Sequence, residues 1–89
     1  MIGTSELRLD GNAIGGLLLE LFGAELTAAP CVCGSCGARE EMARLDVYLG
    51  AGIVVRCRHC EGVMLRIVQG HGQTWLDLSG VGSLELSSQ

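Results

Sequence analysis

Cys33-Gly34-Ser35-Cys36 and, after twenty intervening residues, Cys57-Arg58-His59-Cys60 are two cysteine pairs with the same internal spacing. Two residues between the cysteines allow a tight turn to present both sulfurs on one side, where backbone N–H groups can point at them. Two such turns together supply the four thiolates of a tetrahedral Zn²⁺ site, and their separation lies at the upper end of the usual range of about 15–20 residues. The spacing therefore predicts a zinc site formed by Cys33, Cys36, Cys57 and Cys60.

The residues that follow the two pairs differ. Gly37 directly follows Cys36, and glycine readily takes the left-handed backbone conformation that such a turn often needs. Glu61 holds the equivalent position after Cys60, with Gly62 one residue later. The second turn is therefore expected to be the less favourable of the two.

Two other uses of the cysteine pairs stay open. Rubredoxins, which bind iron, resemble this chain in their paired cysteine turns, but they usually have an aromatic-rich core and a glycine after each turn. The aromatic residues here are only Phe22, Tyr48 and Trp75. A thioredoxin-like dithiol belongs near a βαβ pattern and opens a helix, and neither pair does so. Zn²⁺ is therefore the favoured cofactor, with iron as the alternative.

The fifth cysteine, Cys31, is separated from Cys33 by a single residue, which is a poor spacing for two ligands of one metal. We expect Cys31 to be a small buried residue, with an exchange ligand, a thiol sensor or an intermolecular link as alternatives. His59 is expected to be an exposed side chain at the tip of the second turn rather than a ligand. His71, between two glycines, is expected to lie in an exposed turn.

From Cys31 onward, apolar and polar residues alternate with a period of two, which is typical of β-strands. Residues 45–49 and 53–57 flank the turn Gly50-Ala51-Gly52 and predict a hairpin between the two cysteine pairs. A second hairpin and a short last strand are predicted at residues 63–68, 74–78 and 84–86.

The N-terminal third has a helical pattern instead. Five apolar residues match the spacing that lines one face of a helix: Ile14, Leu17, Leu18, Leu21 and Phe22. Asp10 or Asn12 can cap the start of this helix, and Gly23 can end it. Gly15 and Gly16 each cost about 0.8–1.0 kcal/mol relative to alanine, so the helix needs tertiary packing to persist.

The layout from Cys31 to Leu78, a hairpin between two cysteine turns, resembles a zinc ribbon. The whole chain also resembles an uncharacterised family of short proteins from high-GC bacteria, on residues 9–13 (LDGNA), the paired turns and residues 75–78 (WLDL). This resemblance implies the fold and the metal but no substrate.

We therefore predict a small, metal-stabilised α+β fold in a single domain, residues 1–89. It comprises a helical N-terminal segment, residues 1–30, and an antiparallel zinc-ribbon sheet of four or five short strands, residues 31–86.

The composition indicates a small folded protein whose core alone stabilises it only marginally. Eighty-nine residues form one domain, and 48% hydrophobic against 18% charged residues excludes a disordered acidic tail. Four thiolates around Zn²⁺ leave no position for water, so we do not expect the metal to be catalytic or the chain to be an enzyme.

The charges argue against a protein with a generally basic, nucleic-acid-binding surface. Ten acidic residues face six arginines and no lysine, which gives a formal charge of −4. Five of the six arginines nevertheless lie within residues 31–68, where a local patch is expected from Arg44, Arg56, Arg58 and Arg66. A nucleic-acid-binding zinc ribbon that uses this patch is the alternative function.

The favoured function is that of a protein-interaction module with a structural zinc ion. Leu19 and Leu26 lie off the apolar stripe of the helix, so a second apolar side is expected to contact another copy or an unknown protein partner. We recognise neither a secretory signal nor about 20 consecutive apolar residues, so a cytoplasmic location without membrane contact is expected. A reducing cytosol favours metal ligation by the cysteine pairs over disulfides.

Overall fold

The computed structural model describes residues 7–86. One α-helix, α1 at Gly15–Phe22, follows a 3₁₀ turn at Gly11–Ile14, and a second 3₁₀ turn lies at Met42–Arg44. The strands are β1 Leu7–Asp10, β2 Pro30–Cys33, β3 Arg39–Glu41, β4 Asp46–Leu49, β5 Ile53–Arg56, β6 Val63–Gly70, β7 Gln73–Asp77 and β8 Val81–Leu84.

The strands of residues 7–86 form two antiparallel sheets. The five-stranded sheet has the order β1-β4-β5-β6-β7, and the three-stranded sheet has the order β3-β2-β8. β2 thus pairs with a strand from the far end of the described chain, with Cys31 opposite Leu84. Since Cys33 ends β2 and Cys57 directly follows β5, each sheet contributes one of the two cysteine pairs.

Both predicted hairpins are confirmed. β4 pairs with β5 between the two cysteine pairs, with Val47 opposite Val55. β6 pairs with β7 across a two-residue turn, His71-Gly72, in which Gly72 has a φ of 76°. The predicted last strand is displaced, because β8 occupies Val81–Leu84 rather than residues 84–86.

The prediction of a helical segment over residues 1–30 is wrong at both ends of α1. Leu7–Asp10 is a strand that pairs with β4, and α1 is only eight residues long. The helix ends at Gly23, as predicted, with a φ of 70° and a hydrogen bond of 2.8 Å from its N–H to the C=O of Leu19. Within residues 7–86, no helix has the length and apolarity needed to cross a membrane.

The prediction of one sheet with four or five strands is also wrong. The short strands around the first cysteine pair, β2 and β3, leave the main sheet and combine with β8. A three-residue strand such as Arg39–Glu41 contains no complete alternation, so its pattern in the sequence is too short to place it in a sheet.

One hydrophobic core joins α1 to both sheets. It contains the fully buried Val47 and Val55 of the five-stranded sheet, Leu18 of α1, and Cys31 and Cys33 of the three-stranded sheet. Three further helix residues from the predicted apolar stripe pack against its margin: Leu17, Leu21 and Phe22. The two cysteine turns therefore lie directly on the hydrophobic core rather than on a separate lobe.

Candidate metal centre

The first cysteine turn connects β2 to β3. The N–H of Gly37 donates to the C=O of Cys33 at 3.0 Å, and the N–H of Cys33 donates to the C=O of Ala38 at 2.9 Å. Gly37 has a φ of 78°, so the predicted left-handed glycine is confirmed. These bonds close the turn and hold the backbone of Cys33 in place.

The second cysteine turn connects β5 to β6 and repeats the same geometry. The N–H of Glu61 donates to the C=O of Cys57 at 2.8 Å, and the N–H of Cys57 donates to the C=O of Gly62 at 2.9 Å. Glu61 takes the left-handed position with a φ of 65°. Arg56 supports it, because its Nη1 donates to the C=O of Glu61 at 2.8 Å while its guanidinium lies over the Tyr48 ring.

Replacement of Glu61 by glycine is expected to stabilise the protein. A side chain in the left-handed region costs about 1–2 kcal/mol, and Glu61→Gly removes this strain while keeping both backbone hydrogen bonds. Part of the gain is offset by the greater entropy of glycine in the unfolded chain. We therefore expect the free energy of unfolding to rise by about 0.5–1 kcal/mol, measured as a higher urea midpoint of the metal-loaded protein.

Gly37→Ala is the matched control in the first turn. An added Cβ at Gly37 would meet no atom within 4 Å, so the substitution changes backbone conformation alone. We expect it to destabilise the protein by about 1 kcal/mol. Opposite signs in the two variants support equivalent turns, whereas a lower midpoint for Glu61→Gly contradicts strain at this position.

The two turns bring four sulfur atoms together. The Sγ atoms of Cys33, Cys36, Cys57 and Cys60 all lie within 4.8 Å of one another. Across the turns, Cys33 lies 3.7 Å from Cys60, and Cys36 lies 3.7 Å from Cys57. A tetrahedron with metal–sulfur bonds of about 2.3 Å has sulfur–sulfur edges of about 3.8 Å. The four predicted ligands therefore have the arrangement that one cation requires.

Backbone N–H groups point at the sulfurs, as predicted for such turns. Ser35, His59 and Gly62 donate to the sulfurs of Cys33, Cys57 and Cys60 at 3.4, 3.3 and 3.4 Å, respectively. These donors stabilise negative charge on sulfur, whether or not a metal shares it.

The thiols influence one another strongly. Hydrogen bonds from the N–H groups of Cys36 and Ser35 lower the pKa of Cys33 to about 6. The Gly62 N–H lowers the pKa of Cys60, but desolvation and the three other thiols outweigh it and raise that pKa to about 11. Four thiolates at this separation thus repel one another, and a divalent cation compensates that repulsion.

Each turn contributes one buried and one exposed cysteine. Cys33 and Cys57 are 3% and 1% exposed, whereas Cys36 and Cys60 are exposed at the surface. The buried pair fixes the site to the hydrophobic core, and the exposed pair leaves a route by which an ion can enter.

Residues 4–89 match a family of unknown function, DUF6510. The chain belongs to this family. No curated protein and no solved structure matches the chain. The predicted resemblance to an uncharacterised family is therefore confirmed, while the bacterial source remains a prediction. Because the function of the family is unknown, the function of this chain has to be argued from the cysteine cluster.

Gly80 links the first turn to the start of β6, directly after the second turn, and the sequence did not predict this role. Its N–H donates to the C=O of Met64 at 3.1 Å, close to the second turn. Its C=O accepts from the N–H of Gly34, inside the first turn, at 2.9 Å. The only signal in the sequence is a glycine near Gly82, which predicts a turn but not this bridge.

Cys31 lies beside the site but outside the sulfur cluster. It is 1% exposed, and its Sγ donates to the C=O of Glu40 at 3.3 Å. Burial, followed by the nearby Cys57, raises the pKa of the Cys31 thiol. The prediction that Cys31 is a small buried residue is confirmed.

The imidazole of His59 extends from the tip of the second turn towards the three-stranded sheet. Its Nε2 lies 2.8 Å from a carboxylate oxygen of Glu40. The side chain of His59 is exposed, as predicted. Its contact with Glu40 was not predicted, because the turn that carries His59 and the strand that carries Glu40 are attached to different sheets. It adds a side-chain contact to the backbone bridge made by Gly80.

The structure divides the predicted arginine patch. Arg44 and Arg58 line one surface cleft of about 410 Å³, whereas Arg56 is engaged with the second turn and Arg66 lies opposite Asp77 on β7. The cleft also contains three acidic residues: Asp10, Glu41 and Asp46. Only Arg44 and Arg58 are thus brought to a common site, and acidic groups accompany them.

Proposed function

We propose that this chain binds one Zn²⁺ ion through Cys33, Cys36, Cys57 and Cys60, that the ion is structural, and that the protein acts as a zinc-ribbon interaction module. The observation that carries the proposal is the pair of 3.7 Å sulfur–sulfur distances across the two turns. They equal, within about 0.1 Å, the edge of a zinc tetrathiolate.

Zinc is favoured over iron for two reasons. A four-thiolate tetrahedron suits either metal, but Zn²⁺ has no redox chemistry and needs no surrounding electron-transfer path. The second turn also has Glu61 in place of the glycine that rubredoxins usually have. Iron remains the alternative that metal analysis distinguishes.

A structural role follows from the way in which the ligands are distributed. The ion would join a turn of the three-stranded sheet to a turn of the five-stranded sheet, so it would act as a cross-link between them. Four protein ligands leave no open position for water or substrate, which argues against an enzyme. Retention of the thiols as ligands also suits a reducing compartment such as the cytoplasm.

Protein contact is favoured over nucleic-acid binding because of the charges. Four thiolates on Zn²⁺ change the formal charge from −4 to about −6, and acidic side chains accompany the Arg44 and Arg58 pair. The predicted contact through α1 keeps only Leu19, which is 49% exposed, since Leu26 is buried in the core. An interface on α1 stays a proposal.

Metal content and a pair of cysteine variants test the zinc site. Purified protein is expected to contain one Zn²⁺ per chain by elemental analysis. Cys33→Ser should lose the ion, because three thiolates and a hydroxyl bind zinc far more weakly. Cys31→Ser, on the same strand and equally buried, should retain it.

Three results would count against the proposal. Stoichiometric iron with a visible absorption band would mean that the site binds redox-active iron rather than zinc. Loss of the ion in Cys31→Ser as well as in Cys33→Ser would contradict a ligand set confined to Cys33, Cys36, Cys57 and Cys60. Full retention of the ion in Cys33→Ser would remove Cys33 from the ligand set.

A further inference from the structure

The β6–β7 hairpin extends beyond the rest of the five-stranded sheet. Ile67 is the last residue of β6 that pairs with β5, opposite Ile53. Beyond it, β6 pairs only with β7 among residues 7–86, and every residue from 68 to 79 is exposed. We refer to residues 68–77 as the arm. A two-stranded ribbon is only marginally stable in water, so this arm is expected to gain from a further strand.

The arm carries large apolar side chains without a covering layer among residues 7–86. Val68 and Trp75 lie opposite each other on one face and are 41% and 57% exposed, respectively. Leu76, on the other face, is 40% exposed. The adjacent Val68 and Trp75 form a contiguous apolar surface, which is the kind of feature that marks an interaction site.

The outer edge of β7 also lacks the usual protection of a sheet edge. β7 pairs with β6 over five consecutive residues without a bulge, contains neither proline nor lysine, and has Asp77 as its only charge. By contrast, the edge strand β3 is three residues long and fully charged. Proteins normally guard exposed edges with short strands, charges or bulges, so an unguarded edge favours strand pairing.

We propose that β7 pairs with β7 of a second copy, antiparallel, with Trp75 on the two-fold axis. A two-residue turn closes on a hydrogen-bonded pair, here Gly70 and Gln73, so the backbone groups of Trp75 face β6. Those of Thr74 and Leu76 then face outward. In the proposed register Thr74 of one copy lies opposite Leu76 of the other, which aligns the free backbone groups of both edges.

Side chains in this register complement each other. On one face, the apolar row of Val68 and Trp75 continues into the Trp75 and Val68 of the second copy. Asp77 lies opposite Gln73 of the second copy, so no like charges are opposed, and Arg66 remains opposite Asp77 within each copy. Because the edge is self-complementary and one pairing completes both arms, a second copy is the occupant that this edge fits.

The test uses the full-length, zinc-loaded chain. Sedimentation over a concentration series is expected to show the mass rising from 9.3 kDa to twice that value. Trp75 is the only tryptophan, so its emission should shift to shorter wavelength over the same concentrations as the dimer buries it. A mass of 9.3 kDa throughout would overturn the proposal, whatever the emission of Trp75.

Variants on the edge locate the interface. Thr74→Pro removes one outward N–H, which an edge strand tolerates, and should weaken the dimer by about tenfold or more, whereas Thr74→Val keeps the N–H and should not. Trp75→Glu places like charges on the axis and should also give monomers. Both variants should keep one zinc ion per chain, so a failure of dimerisation is distinguishable from a failure of the metal site.

Leu19→Asp on α1 is the matched control at an exposed apolar position outside the arm. It should leave the dimer unchanged. A dimer that Leu19→Asp disrupts, and that persists in Thr74→Pro and Trp75→Glu, would assign self-association to α1 and overturn pairing through β7.

Discussion

Removal of the metal is expected to abolish the cooperative thermal unfolding of the chain. A structural zinc ion contributes an apparent ~10–16 kcal/mol at neutral pH, whereas small domains are stable by about 5–15 kcal/mol in total. The four ligands come from both sheets, so removal of the cation takes away the cross-link where the sheets meet. Circular dichroism during heating, before and after a strong chelator, measures the effect.

Re-addition of Zn²⁺ after the chelator is removed is the control, and it should restore the transition. The strand signal and the transition of the chelated protein are the decisive readouts. If both match those of the loaded protein, the core alone stabilises the fold and the metal is not structural.

Gly80→Ala is expected to give the second large effect, a loss of about 3 kcal/mol in the free energy of unfolding. A Cβ at Gly80 would overlap the carbonyl oxygen of Val63 and crowd the Cα of Met64, both of which are backbone atoms that a rotamer change cannot move. The shift would also disturb the hydrogen bond from Gly34, inside the first cysteine turn. We therefore expect weaker zinc retention as well as a lower urea midpoint.

Gly16→Ala provides the control for adding one methyl group. Gly16 is exposed inside α1, and a Cβ there would meet nothing within 4 Å. Its helix propensity predicts a gain of about 0.8–1.0 kcal/mol. Equal urea midpoints for Gly80→Ala and the unchanged chain would contradict this prediction. They would mean that β6 and the segment before β8 can separate without a cost in free energy, despite the two hydrogen bonds of Gly80.

The cysteine cluster and the two hairpins could be predicted because their signals are local. The spacing within Cys33–Cys36 and within Cys57–Cys60 defines a turn by itself, and strands such as β5 and β6 alternate over enough residues to be recognised. Each of these features depends on residues close in sequence, so no knowledge of the tertiary structure was needed.

The remaining elements depend on partners that are distant in sequence. β1 contains four residues next to a helical pattern, and only its pairing with β4 makes it a strand. Likewise β2 needs β8, and the bridge at Gly80 exists only once both turns are in place. The expectation that Leu26 lies on an exposed helix side is wrong, because Leu26 follows the helix end at Gly23 and turns into the core.

The strand order has a consequence for the time course of folding. β4 to β7 form a meander of three hairpins, each of which closes a short loop, and the second cysteine turn lies within it. By contrast, β2 must find β8 across about fifty residues, and such distant contacts form slowly. The first cysteine turn itself lies in the local β2–β3 hairpin, but that hairpin completes its sheet only through the distant pairing with β8. If the chain binds a metal as proposed, we expect capture by all four sulfurs to be a late step of folding that holds the two sheets together.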